Sequence, residues 1–315
     1  MPSPLYRLLK AAYRTVHRGA REGAAKLGWN VYPTSDFYSP LPVFSEVSST
    51  RHLWDRPSEM VGVGYDLERM EELLRSLATR WAEEYGTLPS YEEIKTKGFG
   101  PGFTVIDGML LYFMIRDLKP RRYIEVGSGF STYYSWLATA KNRQDGAPCE
   151  FGVVDPFPRR KMRELAGVEV RPQIVQEVPL EYFAQLGPGD VLFIDTTHVL
   201  KVGGDVAYLF LEILPRVAPG VVIHVHDIHF PYNTPYPAEQ YIFRTKWPSY
   251  WTEAMLLQAF LAYNNHFEIL LSAPMLRFHR EEVLASTLPG YRAVEVGDYD
   301  THFGSIWLRR KSVND

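Results

Sequence analysis

The segment from Tyr123 to Leu137 reads YIEVGSGFSTYYSWL, and it limits what this chain can fold into. Residues 123–126 have strand character, Gly127-Ser128-Gly129 follows at once, and an apolar segment compatible with a helix begins at Ser131. Glycines let the backbone approach a ligand, and the first N–H groups of a helix point toward it. A strand, a glycine turn and a helix N-terminus in direct succession therefore predict a cradle for a nucleotide cofactor.

Strands and helices alternate after this turn. Near-continuous apolar strands separated by helices predict an α/β fold with a parallel sheet that is covered on both faces. Two last strands predict an antiparallel finish. After the first strand, the sequence predicts strands at residues 151–154, 191–194, 221–226, 267–271 and 305–309, and one more at either 168–170 or 174–176. The predicted helices between them lie around residues 180–186 and 206–214.

The first 100 residues differ in character from the rest. Residues 1–30 carry six basic side chains against the single acid Glu22, at a spacing that predicts a basic amphipathic helix. Such a helix either exposes a solvated basic face or rests on an anionic membrane or a partner. A Pro- and aromatic-rich arm follows over 31–64, and Asp66 is a predicted N-cap. We expect residues 1–100 to form a helical and irregular extension, a candidate substrate cap, on a domain of residues 101–315.

Composition excludes several classes of protein. A net charge of −3 argues against a nucleic-acid binder that depends on bulk charge. Cys149 is the single cysteine, so neither a disulfide framework nor a thiolate cluster is expected, which suits a reducing cytosol. We find no apolar run of the roughly 20 residues that span a bilayer. The sequence predicts a cytoplasmic globular protein, and a homo-oligomer stays open.

Acidic residues recur where the predicted strands end. Glu125, Asp155, Asp195 and Asp227 each lie at or just inside the C-terminal end of a strand. These ends share one edge of a parallel sheet, and ligands bind in the crevice beside it. Because an unpaired buried charge is expensive, four carboxylates on one edge are hard to explain by structure alone.

The ordered motifs EVGSGFST, VVDPFPR, DVLFIDTTH and PGVVIHVHDI resemble the class I S-adenosylmethionine-dependent methyltransferases. Within that fold they are most similar to a bacterial family that pairs FIDxxH with HxHDI and carries a W-x-E-x-x-L-x-A-F-L helix, here Trp251 to Leu261. The resemblance covers about residues 101–311, and DFYSP at 36–40 extends it weakly. It implies a Rossmann-like sheet, S-adenosyl-L-methionine as the cofactor and a small-molecule substrate, with natural product biosynthesis as the expected setting.

The resemblance also implies which residues bind the cofactor. Gly127 and Gly129 would leave room for its methionine part, and Glu125 would anchor the ammonium. Asp155 would accept hydrogen bonds from the ribose hydroxyls, as an acid after the second strand does in dinucleotide enzymes. The adenine is expected beside Gln176 and Glu177. The whole predicted set is Glu125, Gly127, Ser128, Gly129, Ser131, Asp155, Gln176, Glu177 and Asp195.

A nicotinamide dehydrogenase is the natural competitor for the glycine turn. It would ordinarily carry G-x-G-x-x-G, whereas this chain has Gly127, Gly129 and then Thr132. That difference favours S-adenosyl-L-methionine.

Methyl transfer to an alcohol or phenol needs alignment and the removal of a proton. Two mechanisms stay open. In one, Asp195, His226 and Asp227 hold Mg²⁺ or Mn²⁺, which lowers the pKa of the acceptor oxygen. In the other, His198 or His226 is the general base, oriented by an acid such as Asp195, without a metal.

Two other chemistries are alternatives on the same residues. His198, His226 and Asp227 would also supply the two histidines and one carboxylate of a non-haem iron oxygenase. The scaffold would equally support another displacement, such as a ring closure.

The segment from Ile228 to Trp251 is rich in aromatic residues and proline, and it is the predicted substrate lid. Aromatic rings with polar edges suit a sugar or a polycyclic product. The predicted substrate contacts are His229, Tyr241, Trp247 and Trp251. The plainer reading is a surface loop that packs its rings on the sheet.

Overall fold

One mixed sheet of seven strands runs through the chain in the order β3-β2-β1-β4-β5-β7-β6. The computed structural model describes residues 4–100 and 102–312, apart from the side chain of residue 14. The strands are β1 Arg122–Val126, β2 Glu150–Val154, β3 Val168–Arg171, β4 Val191–Ile194, β5 Val222–His226, β6 Phe267–Ser272 and β7 Ser305–Arg310.

The predicted α/β fold with a mostly parallel sheet is confirmed. Strands β1 to β5 are parallel, and β7 runs antiparallel to both β5 and β6. Of the two alternatives for the third strand, 168–170 is correct, because residues 175–177 form a 3-10 turn. Only β7 opposes the other strands, since β6 pairs antiparallel with β7 and thus returns to the common direction.

Helices cover both faces of the sheet, and in the N-terminal part of the chain they alternate with irregular segments. They are α1 Pro4–Lys26, α2 Phe44–Ser49, α3 Arg51–Trp54, α4 Leu67–Tyr85, α5 Tyr91–Thr96, α6 Val105–Leu118, α7 Phe130–Gln144, α8 Leu180–Phe183, α9 Asp205–Tyr208, α10 Glu253–Leu261 and α11 Ala273–Thr287. Helix α9 continues into a π turn at Leu209–Ile213, and α11 is broken at Arg280 by a non-helical backbone conformation. Asp66 caps α4 by accepting a hydrogen bond from the Arg69 N–H, as predicted.

Helix α6 is buried along most of its length, over residues 106–116, and it packs on α4 and α7. The side chain of Thr104 caps its N-terminus. Its last turn carries Arg116, a buried guanidinium that pairs with Glu84 at 2.6 Å and with Asp145 at 2.8 Å. Because both partners are carboxylates, the charge of Arg116 is compensated where it is buried.

Two compact units divide the chain at a different place from the one expected. The first is Met1–Arg56, and the second is Pro57–Asp315. Residues 57–100 belong with the sheet because α4 contributes Met70, Leu74 and Leu77 to the main hydrophobic core. The expected boundary at 100/101 therefore does not coincide with the boundary between compact units, and a cap formed by the extension stays a prediction.

The first unit contains α1 to α3, of which α2 and α3 lie in the arm that was expected to be irregular. Helix α1 exposes apolar side chains such as Leu5, Leu8 and Val16 to solvent. Among the residues described, no helix combines the length and the apolarity that crossing a bilayer requires. Resting of α1 on a membrane surface stays a prediction.

The sheet brings Gly127 and Asp195 together at its centre. The chain runs from β1 through β2 to β3 on one side and then returns to β4 on the other, so strand order reverses between β1 and β4. Gly127 has φ +88°, and a Cβ on it would lie 1.7 Å from the backbone oxygen of Asp195. Only glycine fits there without moving β4. Ligands bind at such a switch point in open α/β sheets.

Gly127→Ala should therefore destabilise the fold by roughly 2 kcal/mol or more, through overpacking and a strained backbone. Gly129→Ala is the matched control, because φ there is −177° and the nearest atom to an added Cβ is 3.9 Å away. Urea unfolding of both variants checks this. Equal losses of unfolding free energy in the two variants would contradict it.

Candidate functional site

A first cavity of about 440 Å³ opens at the carboxyl ends of β1, β2 and β4. Gly127, Ser128, Asp155, Gln176 and Asp195 are among its lining residues, and all five belong to the set predicted to bind the cofactor. The cavity thus lies at the switch point of the sheet, where the glycine turn leads into α7.

Asp155 and Gln176 present polar atoms at this cavity. Asp155 accepts hydrogen bonds from the Ser128 hydroxyl and, at 2.7 Å, from the Phe157 N–H. A carboxylate has about four lone-pair positions, so Asp155 retains the capacity to accept further bonds. Gln176 donates to the Gly203 carbonyl at 2.8 Å, while its Oε1 meets no partner among the described residues.

Four members of the predicted cofactor set lie outside the lining of the first cavity. Glu177 is exposed on the turn after β3. Gly129 is the N-cap residue just before α7, and Ser131 and Glu125 are buried behind the glycine turn.

Glu125 is fully buried at the end of β1. Its Oε1 accepts hydrogen bonds from Ser131 at 2.6 Å and from Thr132 at 2.8 Å, and its Oε2 has no partner in the described part of the chain. Burial raises the pKa of Glu125 to about 8, and the charge of Asp195 adds to the effect, while the two hydroxyl donors oppose it. This carboxyl is consequently neutral at pH 7 unless a cation reaches it.

Asp195, His198, His226 and Asp227 form a group that we term the Asp–His cluster. His198 Nε2 lies 3.3 Å from Asp195 Oδ1 and 3.3 Å from Asp227 Oδ2. His226 Nδ1 lies 3.5 Å from Asp195 Oδ2 and 3.6 Å from Asp227 Oδ2. The structure thus brings together the residues that the sequence singled out at the ends of β4 and β5.

The outer nitrogen of each imidazole faces a further buried carboxylate. His198 Nδ1 lies 2.8 Å from Glu253 Oε2, and His226 Nε2 lies 3.2 Å from Asp107 Oδ2. Each ring is therefore held between an outer acid and the two central aspartates. The inner nitrogens, His198 Nε2 and His226 Nδ1, both point toward the space between Asp195 and Asp227.

Sequence reasoning gave Asp107 and Glu253 no chemical role. Asp107 is the only acid in the segment VIDGMLLYFMI of α6. A single carboxyl in an otherwise apolar helix could have indicated a buried polar contact. It is held by the hydroxyls of Thr104 and Ser305 and by the Gly304 N–H. Glu253 was noted only as part of the Trp251–Leu261 pattern, although it is buried at the start of α10.

The two aspartates differ in their affinity for protons. Although burial opposes it, the imidazoles of His226 and His198 hold the pKa of Asp195 well below its usual range. Burial, together with the charge of Asp195, raises the pKa of Asp227. Two carboxyls that share one site do not ionise with equal ease.

Both imidazoles of the cluster bind protons strongly. Burial opposes a positive charge on His198, yet the carboxylates of Asp195 and Glu253 raise its pKa well above the usual value. Burial likewise opposes the charge on His226, whose pKa the carboxylates of Asp227 and Asp195 raise. In the absence of another cation, protons on these rings compensate part of the negative charge.

His198 and Asp227 both have φ of 58°, in the left-handed region. Non-glycine residues hold that conformation only where the surroundings impose it, and such residues concentrate at functional sites. Here the imposed backbone turns the two side chains toward Asp195 directly after β4 and β5.

The residues of the Asp–His cluster fit a divalent metal ion. Atoms of Asp195, His198 and Asp227 lie within 4.8 Å of one another, and His226 Nδ1 is a buried atom without a hydrogen-bond partner among the described residues. Metal-bound histidines commonly donate their other N–H to a carboxylate, as His198 and His226 are placed to do. A set of two imidazoles and two carboxylates suits a first-row transition metal better than Mg²⁺, which prefers oxygen ligands.

The four predicted substrate residues lie in different environments. Tyr241 is buried and packs against Trp251, with 5.5 Å between ring centroids, and Trp251 contacts the His198 ring at 4.6 Å. Trp247 is 65 % exposed. His229 lines a second cavity and belongs to neither the first cavity nor the Asp–His cluster.

His224 lies below the cluster and stays in the core. Its ring stacks on Trp307, with 4.1 Å between centroids. Burial lowers its pKa well below the usual value, so it is a neutral core residue.

The region that contains the first cavity and the Asp–His cluster matches a known domain family. Residues 124–228 match the family model of a methyltransferase domain, and this stretch includes the glycine turn, Asp155, and the whole Asp–His cluster. An uncharacterised protein of Archaeoglobus fulgidus is 27% identical over 168 residues, which are 50% of this chain and 74% of that protein.

Two solved structures of bacterial proteins match this chain in part. A putative O-methyltransferase from Klebsiella pneumoniae is 13% identical, with a TM-score of 0.43, over 77% of this chain and 100% of that chain. An O-methyltransferase from Bacillus cereus in complex with SAH is 14% identical, with a TM-score of 0.44, over 77% of this chain and 100% of that chain. Likenesses at this level carry no information on substrate.

The burial of Glu125 predicts how Glu125→Gln changes stability with pH. A folded pKa of about 8, above the ordinary 4.5, means that the carboxyl favours folding below pH 4.5 and that this contribution is lost as pH rises to 8. At pH 9 the Gln variant should be more stable than the wild type by on the order of a few kcal/mol, with almost no difference at pH 4.

Urea unfolding at the two pH values measures this difference, with Glu177→Gln as an exposed control that should not change it. A Gln variant that is less stable than the wild type at pH 9 would show that Glu125 is ionised and paired in the folded chain.

Proposed function

We propose that this chain, whose residues 124–228 match the family model of a methyltransferase domain, transfers the methyl group of S-adenosyl-L-methionine to an oxygen of a hydroxylated small molecule. The observation that carries the proposal is that Asp195 belongs both to the first cavity and to the Asp–His cluster. A donor in that cavity would have its reactive end beside a group able to bind an acceptor oxygen and remove its proton.

The first cavity supports S-adenosyl-L-methionine as the donor. Asp155 would accept hydrogen bonds from the ribose hydroxyls, and the unpartnered Oε1 of Gln176 would accept one from the adenine amino group. Glu125 lies behind the glycine turn and does not line the cavity. It would therefore interact with the ammonium of the cofactor indirectly, across the glycine turn and through the hydroxyl of Ser131. In this proposal the ammonium draws Glu125 into its ionised form.

The Asp–His cluster would hold the divalent ion, with Asp195, Asp227, His198 Nε2 and His226 Nδ1 as ligands. When bound, such an ion lowers the pKa of an acceptor hydroxyl and orients it for in-line attack. Glu253 and Asp107 hold the outer nitrogens of the imidazoles, which fixes the ring orientations.

The alternative without a metal is supported less well. A general base should have a pKa near the working pH, whereas the surrounding carboxylates raise the pKa values of His198 and His226 well above the usual value. Rings that retain their protons at neutral pH accept a further proton poorly.

A non-haem iron oxygenase is the second candidate function. The observation in its favour is that the cluster offers two imidazole nitrogens beside its carboxylates, the ligand types of the facial triad. Oxygen uptake that depends on Fe²⁺ and leaves S-adenosyl-L-methionine unconsumed would favour this candidate over methyl transfer.

The acceptor site is proposed beside the Asp–His cluster. His229, Tyr241 and Trp251 lie near it and are candidate substrate contacts, while the exposed Trp247 would serve only at the rim. A sugar or natural product, a cytoplasmic setting and a homo-oligomer remain part of this proposal.

Isothermal titration with S-adenosylhomocysteine tests the donor site. The wild type should bind it with measurable heat, and Asp155→Ala should weaken binding at least tenfold, because the ribose hydroxyls lose their acceptor. NADH is the comparison ligand and should give no heat. Binding of NADH together with no response to S-adenosylhomocysteine would overturn the proposed function.

Titration with Mn²⁺, followed by electron paramagnetic resonance, tests the cluster. Glu253→Gln and Asp107→Asn should each weaken Mn²⁺ binding by about 10–100-fold, since both hold a ligand imidazole. Glu268→Gln is the control, because Glu268 pairs with Arg309 on the sheet edge. Unaltered Mn²⁺ affinity in both test variants, or turnover that EDTA does not reduce, would refute the metal mechanism.

A further inference from the structure

A second cavity, of about 370 Å³, lies between α11 and the segment that follows β5. Its lining includes His229, Tyr232, Tyr236, Arg277, Phe278 and Glu281 and shares no residue with the first cavity. A cavity of this size, lined by several aromatic rings and a few charged groups, can hold a small molecule.

The second cavity lies beside the Asp–His cluster. A Cβ on Gly304 would be 3.0 Å from His229 Nε2 and 3.1 Å from the Asp227 Cα, so the His229 ring that lines this cavity and the backbone of Asp227 meet at Gly304. A molecule bound in this cavity would contact His229, which follows Asp227 by two residues, whereas the first cavity reaches the cluster through Asp195.

Arg277 is a cation in this cavity without a carboxylate partner. No acid of the described residues lies within salt-bridge distance of its guanidinium, and its Nη1 is a buried donor that meets no acceptor there. The guanidinium instead lies over the rings of Phe303, at 4.4 Å, and Tyr236, at 5.4 Å. Glu281 is exposed at the rim, where it accepts a hydrogen bond from the Tyr291 hydroxyl.

His229 adds two more unpartnered atoms. Its side chain is 1% exposed, and neither ring nitrogen meets a hydrogen-bond partner among the described residues. Each buried donor or acceptor left unpaired costs about 1–3 kcal/mol, and a buried unpaired charge costs more. Burial lowers the pKa of His229 to about 3, so its neutral ring offers one donor, and that N–H and the Arg277 Nη1 donor would both be satisfied by ligand oxygens.

We propose that the second cavity binds the methyl acceptor and that Arg277 recognises a carboxylate on it, which makes the substrate a hydroxylated carboxylic acid. This inference rests on the proposed function for the identity of the reaction. The planar guanidinium matches a carboxylate with two parallel hydrogen bonds. Arg277 is the one lysine or arginine in the cavity lining and Glu281, at the rim, is the one acid, so the lining favours a ligand with a single carboxylate over a dianion.

Two matched pairs of probes test the recognition of the acid group. They are 4-hydroxybenzoate against 4-hydroxybenzamide, and glucuronate against glucose, titrated into the full chain saturated with S-adenosylhomocysteine. At least one acid should bind tenfold more tightly than its neutral partner. Arg277→Gln should remove that preference, because the cation is lost.

Arg280→Gln is the matched control, since Arg280 is on the same helix but pairs with Glu71, at 2.9 Å, outside the cavity. It should retain the preference for the acid. Two results would overturn the inference. One is that Arg277→Gln still prefers the acid over its neutral partner, and the other is that the wild type shows no such preference. In either case Arg277 has only a structural role.

A measurement on the wild type covers the case in which Arg277→Gln fails to fold. Phenylglyoxal modification of Arg277, followed by mass spectrometry, should be slowed by the preferred acid and not by its neutral partner. Equal modification rates with both members of each pair would contradict the proposal.

Binding of S-adenosylhomocysteine separates this inference from the proposed function. Arg277 does not line the first cavity, so Arg277→Gln should bind S-adenosylhomocysteine as the wild type does. If the wild type binds the acids but not S-adenosylhomocysteine, the acid site stands and methyl transfer is wrong.

Discussion

The close approach of β1 to β4 is the constraint on which the rest of the site depends. Gly127 lies against the backbone oxygen of Asp195, at a distance that no side chain allows. Because the two strands are neighbours, the glycine turn and the first aspartate of the Asp–His cluster share one edge of the sheet. The first cavity is then formed on one side of Asp195 and the cluster on the other.

Charge organises the cluster itself. Asp107, Asp195, Asp227 and Glu253 surround the imidazoles of His198 and His226, so acids outnumber bases by two to one. Protons on the rings offset only half of that charge if every acid is ionised. The raised pKa of Asp227 relieves part of the remainder, and a divalent cation between the inner nitrogens and the central carboxylates would relieve it more completely.

Local pattern was sufficient to predict the strands and the acids at their ends, because apolar runs and strand direction are properties of short segments. It was insufficient for Asp107 and Glu253, whose partners lie 119 and 55 residues away in the sequence. Arg277 was likewise missed, since α11 was not predicted at all. Whether a buried polar side chain has a hydrogen-bond or ion-pair partner depends on packing between segments that are distant in the sequence. The hydrophobic periodicity of one segment does not predict such a partner.

Helix α6 links the Asp–His cluster at one end to a buried ion network at the other. Asp107 in its first turn holds His226, and Arg116 in its last turn joins Glu84 and Asp145, about 14 Å further along the axis. If the Asp–His cluster is the reaction centre proposed above, a substitution of Arg116 that shifted α6 would also shift Asp107 and with it the His226 ring. A screen for inactive variants would then assign Arg116 to the reaction centre, although its own partners are Glu84, Asn142 and Asp145.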